Sequence, residues 1–333
     1  MYRDVRPPRS VRWRLPFGVV LASGLLLGAR AAAPADRAEL RGIVDAYLTA
    51  LVAHNPARLS LAKDVKFTEN TVKIPVGDGL WVNASEGPTA FKVYALDPEA
   101  GQAAFYGVLK ELGDPVILAL RLKVAGGRIT EIEHVVARRL GDKPLPCLAA
   151  PRAGLIEVVP PVERVPRAEM LRIADAYFES IEHNDGSRAP FADDCERHEN
   201  GSQTTTKPAP NPADFGQSES EQLRLAMARI DACGCAAQMS SHILEYITRI
   251  RPRRLLVVDE ELGLVFAFPM FVHRGDVQSV RIRGVPGVDV VPRKIPPFNL
   301  QAGEIFKIRG GRIHEIEANG VVLPYLSSTG WDD

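Results

Sequence analysis

The sequence predicts an α+β protein made of two diverged copies of one helix-plus-sheet unit. Three observations predict it: an internal repeat, an amphipathic helix that opens each copy, and a glycine hairpin that closes each copy. Residues 38–71 align with residues 168–201 at an offset of 130 without a gap. Eleven of these 34 positions are identical, and they cluster in Asp45-Ala46-Tyr47 and Glu69-Asn70. Further on, GRITEIE at 127–133 matches GRIHEIE at 311–317, and Asp97 and Gly101 match Asp259 and Gly263.

Taken in order, residues 1–31 read as a secretory signal peptide. Five arginines precede an apolar run at 15–27, followed by small residues with a cleavage site expected at Ala29-Arg30-Ala31. That run is shorter than the roughly 20 residues a spanning helix needs, so no stable membrane insertion is expected after cleavage. An uncleaved anchor is the competing reading. Export places the chain in the periplasm or outside the cell.

The first unit is expected at 36–139. Leu40, Ile43, Val44, Tyr47, Leu48 and Leu51 form the stripe of a helix packed on a sheet. Strands follow at 91–96, 103–109, 116–124 and 128–137. Residues 140–166, with six prolines, read as a stiff linker. The second unit, 167–326, repeats the stripe with Met170, Ile173, Ala174, Tyr177, Phe178 and Ile181. Its strands are expected at 255–258, 264–273, 304–309 and 312–318. Gly126-Gly127 and Gly310-Gly311 are the tight turns of the closing hairpins. Two insertions set this copy apart, at 202–220 and about 277–300; both read as lids, binding loops or disorder.

Composition narrows the function. The 333 residues carry 41 basic and 41 acidic side chains. Residues 1–31 hold six of the arginines and one aspartate, leaving a body of charge −5, which disfavours nucleic-acid binding. Four cysteines in an exported chain can form disulfides. Cys147, Cys195, Cys233 and Cys235 are all candidates and allow three complete pairings; joining Cys195 to Cys233 or Cys235 would close the first insertion, and four unpaired core cysteines are the alternative. No zinc spacing, nucleophile elbow or phosphate loop occurs, so no metal or other cofactor is expected.

The helix, the curved antiparallel sheet and the closing strand "G-R-I-x-E-I" resemble the SnoaL-like, nuclear transport factor 2-like superfamily. The resemblance implies two tandem cone-shaped domains, each with its N-terminal helix on a curved antiparallel sheet. It also implies packing of sheet on sheet, so that the chain is its own pseudo-dimer, with further oligomers possible. Tandem proteins of this pattern form a largely uncharacterised family. Isomerases similar to it use a Tyr of the first helix and inward carboxylates in an apolar pocket, which points to Tyr47 and Tyr177.

The Glu-Asn repeat supplies the other candidates. Thr68-Glu69-Asn70 corresponds to His198-Glu199-Asn200, and on a strand alternate residues share a face. His198 is then a candidate general base, Tyr177 an oxyanion donor and Asn200 an orienting group. The alternative makes Glu-Asn a tie between loop and backbone in both copies. Trp81 is expected either to stack on a ligand or to cap the cone. Arg251 and Arg254 are expected either to hold a substrate carboxylate or to pair with Asp259, Glu260 and Glu261. With Glu69, Asn70 and Glu199, these complete the expected ligand-binding set. Two functions follow as expectations: a cofactor-free lyase or isomerase acting on a small molecule, or a non-catalytic protein that binds a small hydrophobic or carbohydrate ligand.

Overall fold

The computed structural model describes residues 35–140 and 146–331, which belong to one compact unit. The expected signal peptide lies outside the described residues, as do positions 141–145 of the linker.

Asp36 starts α1 (Arg37–Val52) by accepting the Glu39 N–H at 2.8 Å, which satisfies one of the donors a helix start leaves free. Leu40, Val44, Tyr47, Leu48 and Leu51 are buried along one face. The chain continues through β1 (Leu61–Glu69), β2 (Val72–Lys73), the single turn α2 (Leu80–Asn83) and β3 (Ala84–Glu86). Four longer strands complete this half: β4 (Lys92–Asp97), β5 (Gln102–Glu111), β6 (Asp114–Ala125) and β7 (Arg128–Ala137). After α3 (Ala153–Ile156), the second half opens with α4 (Arg167–Glu182), β8 (Phe191–Glu199) and β9 (Ser202–Gln203). Helices α5 (Glu219–Asp231) and α6 (Cys235–Ser240) precede β10 (Arg249–Asp259) and β11 (Leu264–His273). The short hairpin β12 (Ser279–Arg281) and β13 (Val290–Pro292) leads to β14 (Phe298–Arg309) and β15 (Arg312–Pro324).

Both sheets follow one path. In the first it runs β4, β5, β6, β7, β1, β2; in the second, β10, β11, β14, β15, β8, β9. The hairpins β6–β7 and β14–β15 turn on Gly126-Gly127 and Gly310-Gly311, all four at positive φ, where a side chain would be strained. The sheets are not wholly antiparallel, contrary to expectation. β1 lies parallel to β7, and β8 parallel to β15, because the strand after each helix enters the sheet beside the last strand and in its direction.

Residues 277–300, expected without regular structure, hold β12, β13 and the start of β14. Val280, Ile282, Val285 and Val291 bury themselves against Ile230 of α5 and Ile243, a small second core that the prolines and glycines obscure in the sequence.

The two sheets pack face to face through Phe91, Tyr106, Ile117, Ala119 and Val135 on one side and Val257, Phe266, Phe268 and Ile305 on the other. Gly303 permits the close approach: a Cβ there would sit 2.3 Å from that of Ala119. The edges are locked reciprocally. Arg37 forks onto Asp259 at 2.7 and 3.0 Å, and its counterpart Arg167 forks onto Asp97 at 2.8 and 2.7 Å. Asp259 also accepts the Leu96 N–H, and Asp97 that of Val258. Such mutual pairing is the pattern of an isologous interface.

Candidate functional site

In the second half, between the sheet and residues 244–247, lies a cavity of about 90 Å³. Its walls are Arg197 and Glu199 of β8, Phe271 and His273 of β11, Leu300, Ala302 and Glu304 of β14 and Ala318 of β15, roofed by Leu244, Tyr246 and Ile247. Comparison of equivalent positions explains why it is open. Where the first half has Phe105, Leu118, His134 and Val136, the second has Ala267, Ala302, Ala318 and Gly320. Where the first has Leu120 and Phe67, the second has Glu304 and Arg197. Trimming four side chains makes room, and two of the apolar positions become charged.

Glu304 is buried to 1% exposure, with the Tyr177 hydroxyl and the Arg197 guanidinium beside it. Burial pushes its carboxyl up to about 7, and the nearby guanidinium only partly opposes this. Each nitrogen of Arg197 has a partner. Its Nε donates to the Tyr177 hydroxyl at 2.9 Å, one Nη to Thr204 Oγ1 at 2.9 Å and the other to Glu199 at 2.8 Å. Burial raises the Tyr177 hydroxyl, so it remains protonated. His273 stacks on Phe298 at 3.8 Å, and burial pulls its pKa down to about 4.

The first half fills the same space. Trp81 is buried and donates its indole N–H to the Tyr47 hydroxyl at 3.0 Å; that hydroxyl meets His134 Nε2 at 2.9 Å. His134 Nδ1 lies 3.4 Å from Glu69, which accepts the Leu80 N–H and the Arg138 guanidinium, each at 2.8 Å. Burial alone would raise Glu69, but His134, the Leu80 N–H and Arg138 outweigh it and hold the carboxyl at about 2. Trp81 therefore caps the cone from within.

The expected constellation of His198, Tyr177 and Asn200 does not converge. Strand alternation holds, but the faces are the reverse of those expected: Arg197 and Glu199 point into the cone, His198 and Asn200 away from it. His198 pairs through Nε2 with Glu196, and its Nδ1 lies 3.8 Å from Glu317. Burial and the charge of Arg152 lower its pKa. Asn200 sits at positive φ and exchanges hydrogen bonds with Gly320, as Asn70 does with Val136. Both asparagines are turn-to-strand ties.

The arginines are also redirected. Arg254 forks onto the buried Glu133 of the other sheet at 2.6 and 2.9 Å, and Arg251 lies on Glu182 and Glu179 of α4. Neither reaches the cavity, and neither pairs with residues 259–261. Cys195 is bonded to Cys235 across 40 residues. Cys147 and Cys233 are free thiols; the Cys233 sulfur instead faces the Arg229 carbonyl.

Arg197, Glu304, His273, Tyr246 and His134 were not foreseen. A signal existed for two: the repeat alignment sets Arg197 against Phe67, and extending it through the closing hairpin sets Glu304 against Leu120. A wider groove of about 220 Å³ lies between the linker and β15, but it offers little free chemistry. Arg152 there holds Glu315 and Glu317, and Lys307 is held by the carbonyls of Glu157 and Leu262. Among the described residues no group of three or more His, Cys, Asp or Glu could hold a metal ion, and no helix is long and apolar enough to cross a membrane.

Fold and cavity together define an α+β protein built on two curled sheets. Residues 163–320 match the model of a Domain of unknown function (DUF8021), and no curated protein matches the chain. Solved structures similar to it include a candidate ketosteroid isomerase of Kribbella flavida DSM 17836, 18% identical, covering 38% of this chain and 93% of that one at a TM-score of 0.27. A candidate hydroxylase of Streptomyces galilaeus is 17% identical over 38% and 92%, at 0.25. A de novo designed protein with a curved β-sheet is 15% identical over 32% and 90%, at 0.26.

Proposed function

We propose that this chain is an exported lyase or isomerase that acts on a small molecule by cofactor-free general acid–base chemistry in its second cone. Residues 36–139 and 167–326 are read as two tandem SnoaL-like domains joined by the linker at 140–166. In this reading the chain is its own pseudo-dimer, periplasmic or secreted after loss of residues 1–31. The observation that carries the proposal is Glu304: a buried carboxyl beside the Tyr177 hydroxyl and the Arg197 guanidinium, on the wall of a cavity, with a pKa of about 7. A base is most effective when its pKa lies near the working pH. Glu304 replaces His198 in that role, Arg197 and Tyr177 set its electrostatics, and Leu244, Tyr246 and Ile247 roof the cavity.

The reaction is tested by solvent deuterium exchange into the C–H positions next to the carbonyl of hydroxyacetone. The full chain should catalyse exchange with a rate that rises as pH passes upward through about 7, because only the ionised carboxylate takes a proton. Glu304→Gln should lose roughly 10²–10⁴-fold, the usual share of a general base. Equal exchange by both proteins contradicts the catalytic reading. The apolar walls formed by Leu244, Ile247, Phe271 and Leu300 favour the second reading, a non-catalytic protein that binds a small hydrophobic or carbohydrate ligand.

A further inference from the structure

We propose that Thr204 and Thr205 are positioning residues of the second cone: together they hold Arg197 beside Tyr177 and Glu304, and so fix the charge that Glu304 meets. This rests on reading Glu304 as the working group and adds the residues that tune it. Both belong to the run Thr204-Thr205-Thr206, directly after β9. Thr204 grips Arg197 at two points. Its Oγ1 accepts from one guanidinium nitrogen at 2.9 Å and donates to the Arg197 carbonyl at 3.0 Å, and its backbone N–H bonds that same carbonyl at 2.7 Å. A free arginine side chain has many rotamers to lose on burial, and a hydroxyl that bridges its head to its own backbone selects one. Thr205, fully buried, accepts the Arg197 backbone N–H at 2.8 Å. It is held in turn: its Oγ1 lies 3.8 Å from the sulfur of Cys235, whose bonded partner Cys195 stands two residues before Arg197. Gln238 of α6 donates to the Thr204 carbonyl, and Gln203 to that of Thr205 at 2.9 Å.

The first half shows what the threonines are for. At the repeat offset of 130, Phe67 stands for Arg197 and Ile74-Pro75-Val76 for the three threonines. The backbone path is kept, since the Ile74 N–H still bonds the Phe67 carbonyl at 3.1 Å. The hydroxyls occur only in the half where an arginine has to be aimed. The charged and titratable groups that act on Glu304 are Arg197 and Glu199 of β8, Tyr177 of α4 and, from the first sheet, Tyr106 of β5. His273 of β11 lines the same cavity and is neutral near pH 7. Among these described residues Arg197 is the one cation, so its placement decides how far burial of Glu304 is opposed. Without the Thr204 hydroxyl the guanidinium keeps its bond to the partly exposed Glu199 and loses a tie that holds it in the cone.

The test is a ¹³C NMR titration of the Glu304 carboxyl in the full chain, with thermal melts run beside it. Thr204→Val should move the Glu304 midpoint upward by about one pH unit, the low end of what a neighbouring opposite charge contributes. The pH profile of deuterium exchange should move up with it. Thr205→Val should shift the midpoint in the same direction. Thr204→Ser keeps the hydroxyl and should restore the wild-type midpoint, a rescue that a purely structural role does not predict. An unmoved midpoint in folded Thr204→Val, whatever its melting temperature, overturns the proposal. So does an upward shift that Thr204→Ser shares. If Thr205→Val does not fold, the two Thr204 variants decide the outcome. Shifts are read against wild type wherever its midpoint lies. An upward shift from a wild-type midpoint near 4.5 removes the base and leaves the positioning standing; an unmoved midpoint near 7 removes the positioning alone.

Discussion

Glu304 and Glu69 are both buried carboxyls beside a cation, yet burial prevails in one and partners in the other. Glu69 accepts hydrogen bonds from a backbone N–H and a guanidinium and has the His134 ring nearby; Glu304 has only the Tyr177 hydroxyl and the Arg197 guanidinium beside it. Their effects on stability run in opposite directions. Glu304 has a folded pKa of about 7 against an ordinary 4.5, so its burial costs nothing below about pH 4.5 and progressively more as pH rises to 7. Glu317, also pushed up to about 7 by burial, behaves likewise. Each is worth on the order of 3 kcal/mol by linkage. Urea unfolding at pH 5 and pH 8 should show the wild type losing stability at the higher pH, and Glu304→Gln should remove about one such share. Glu69, held at about 2, contributes stability above pH 4.5 that is lost as pH falls toward 2. Trp81→Ala should cost about 3–5 kcal/mol, the range for emptying a large aromatic site, because it also removes the donor to Tyr47. Ligand binding in the second cone should be untouched.

At the scale of elements, β8 decides the site. The repeat and the alternation of β8 were legible in the sequence, but which face of the strand met α4 was not. That parity is fixed by Arg197 bonding to Tyr177 across the cone, a contact between residues 20 apart. A histidine beside a repeated Glu-Asn draws attention, whereas an arginine inside a cone looks misplaced until its three partners are known. Helices α1 and α4, the closing hairpins and the Asp97–Asp259 echo were readable because each rests on local pattern: apolar periodicity, glycine turns and the repeat. The core made by α5 with β12 and β13 was not, since its apolar residues come from segments about 50 residues apart. The cavity depends on four small residues that only a comparison between halves reveals. Ala302→Leu tests that comparison: the variant should fold with stability near or above wild type and lose all small-ligand shifts. The Cys195–Cys235 bond closes a loop of 40 residues, and in the chain-entropy model its reduction should cost about 4 kcal/mol. Thermal melts with and without reductant measure that loss directly.

Across the whole molecule, the two halves divide the work. The first is a filled core whose polar chain from Trp81 to Arg138 is closed on itself; the second keeps an opening and a buried carboxyl on its wall. They are held together by an apolar seam and by reciprocal Arg–Asp forks at its edges. Asp259→Ala leaves Arg37 and the Leu96 N–H without their acceptor and should cost about 3–5 kcal/mol, as breaking a buried pair does. The double variant with Arg37→Ala should lose less than the sum of the two single variants, a coupling that a double-mutant cycle reads. The central claim is that the second half keeps a proton-transferring group in its cavity. It is tested most directly by ¹³C NMR titration of the Glu304 carboxyl in the intact chain, with Glu304→Gln to assign the resonance. A midpoint near pH 7 is predicted. A midpoint at the ordinary carboxylate value, near 4.5, would contradict it.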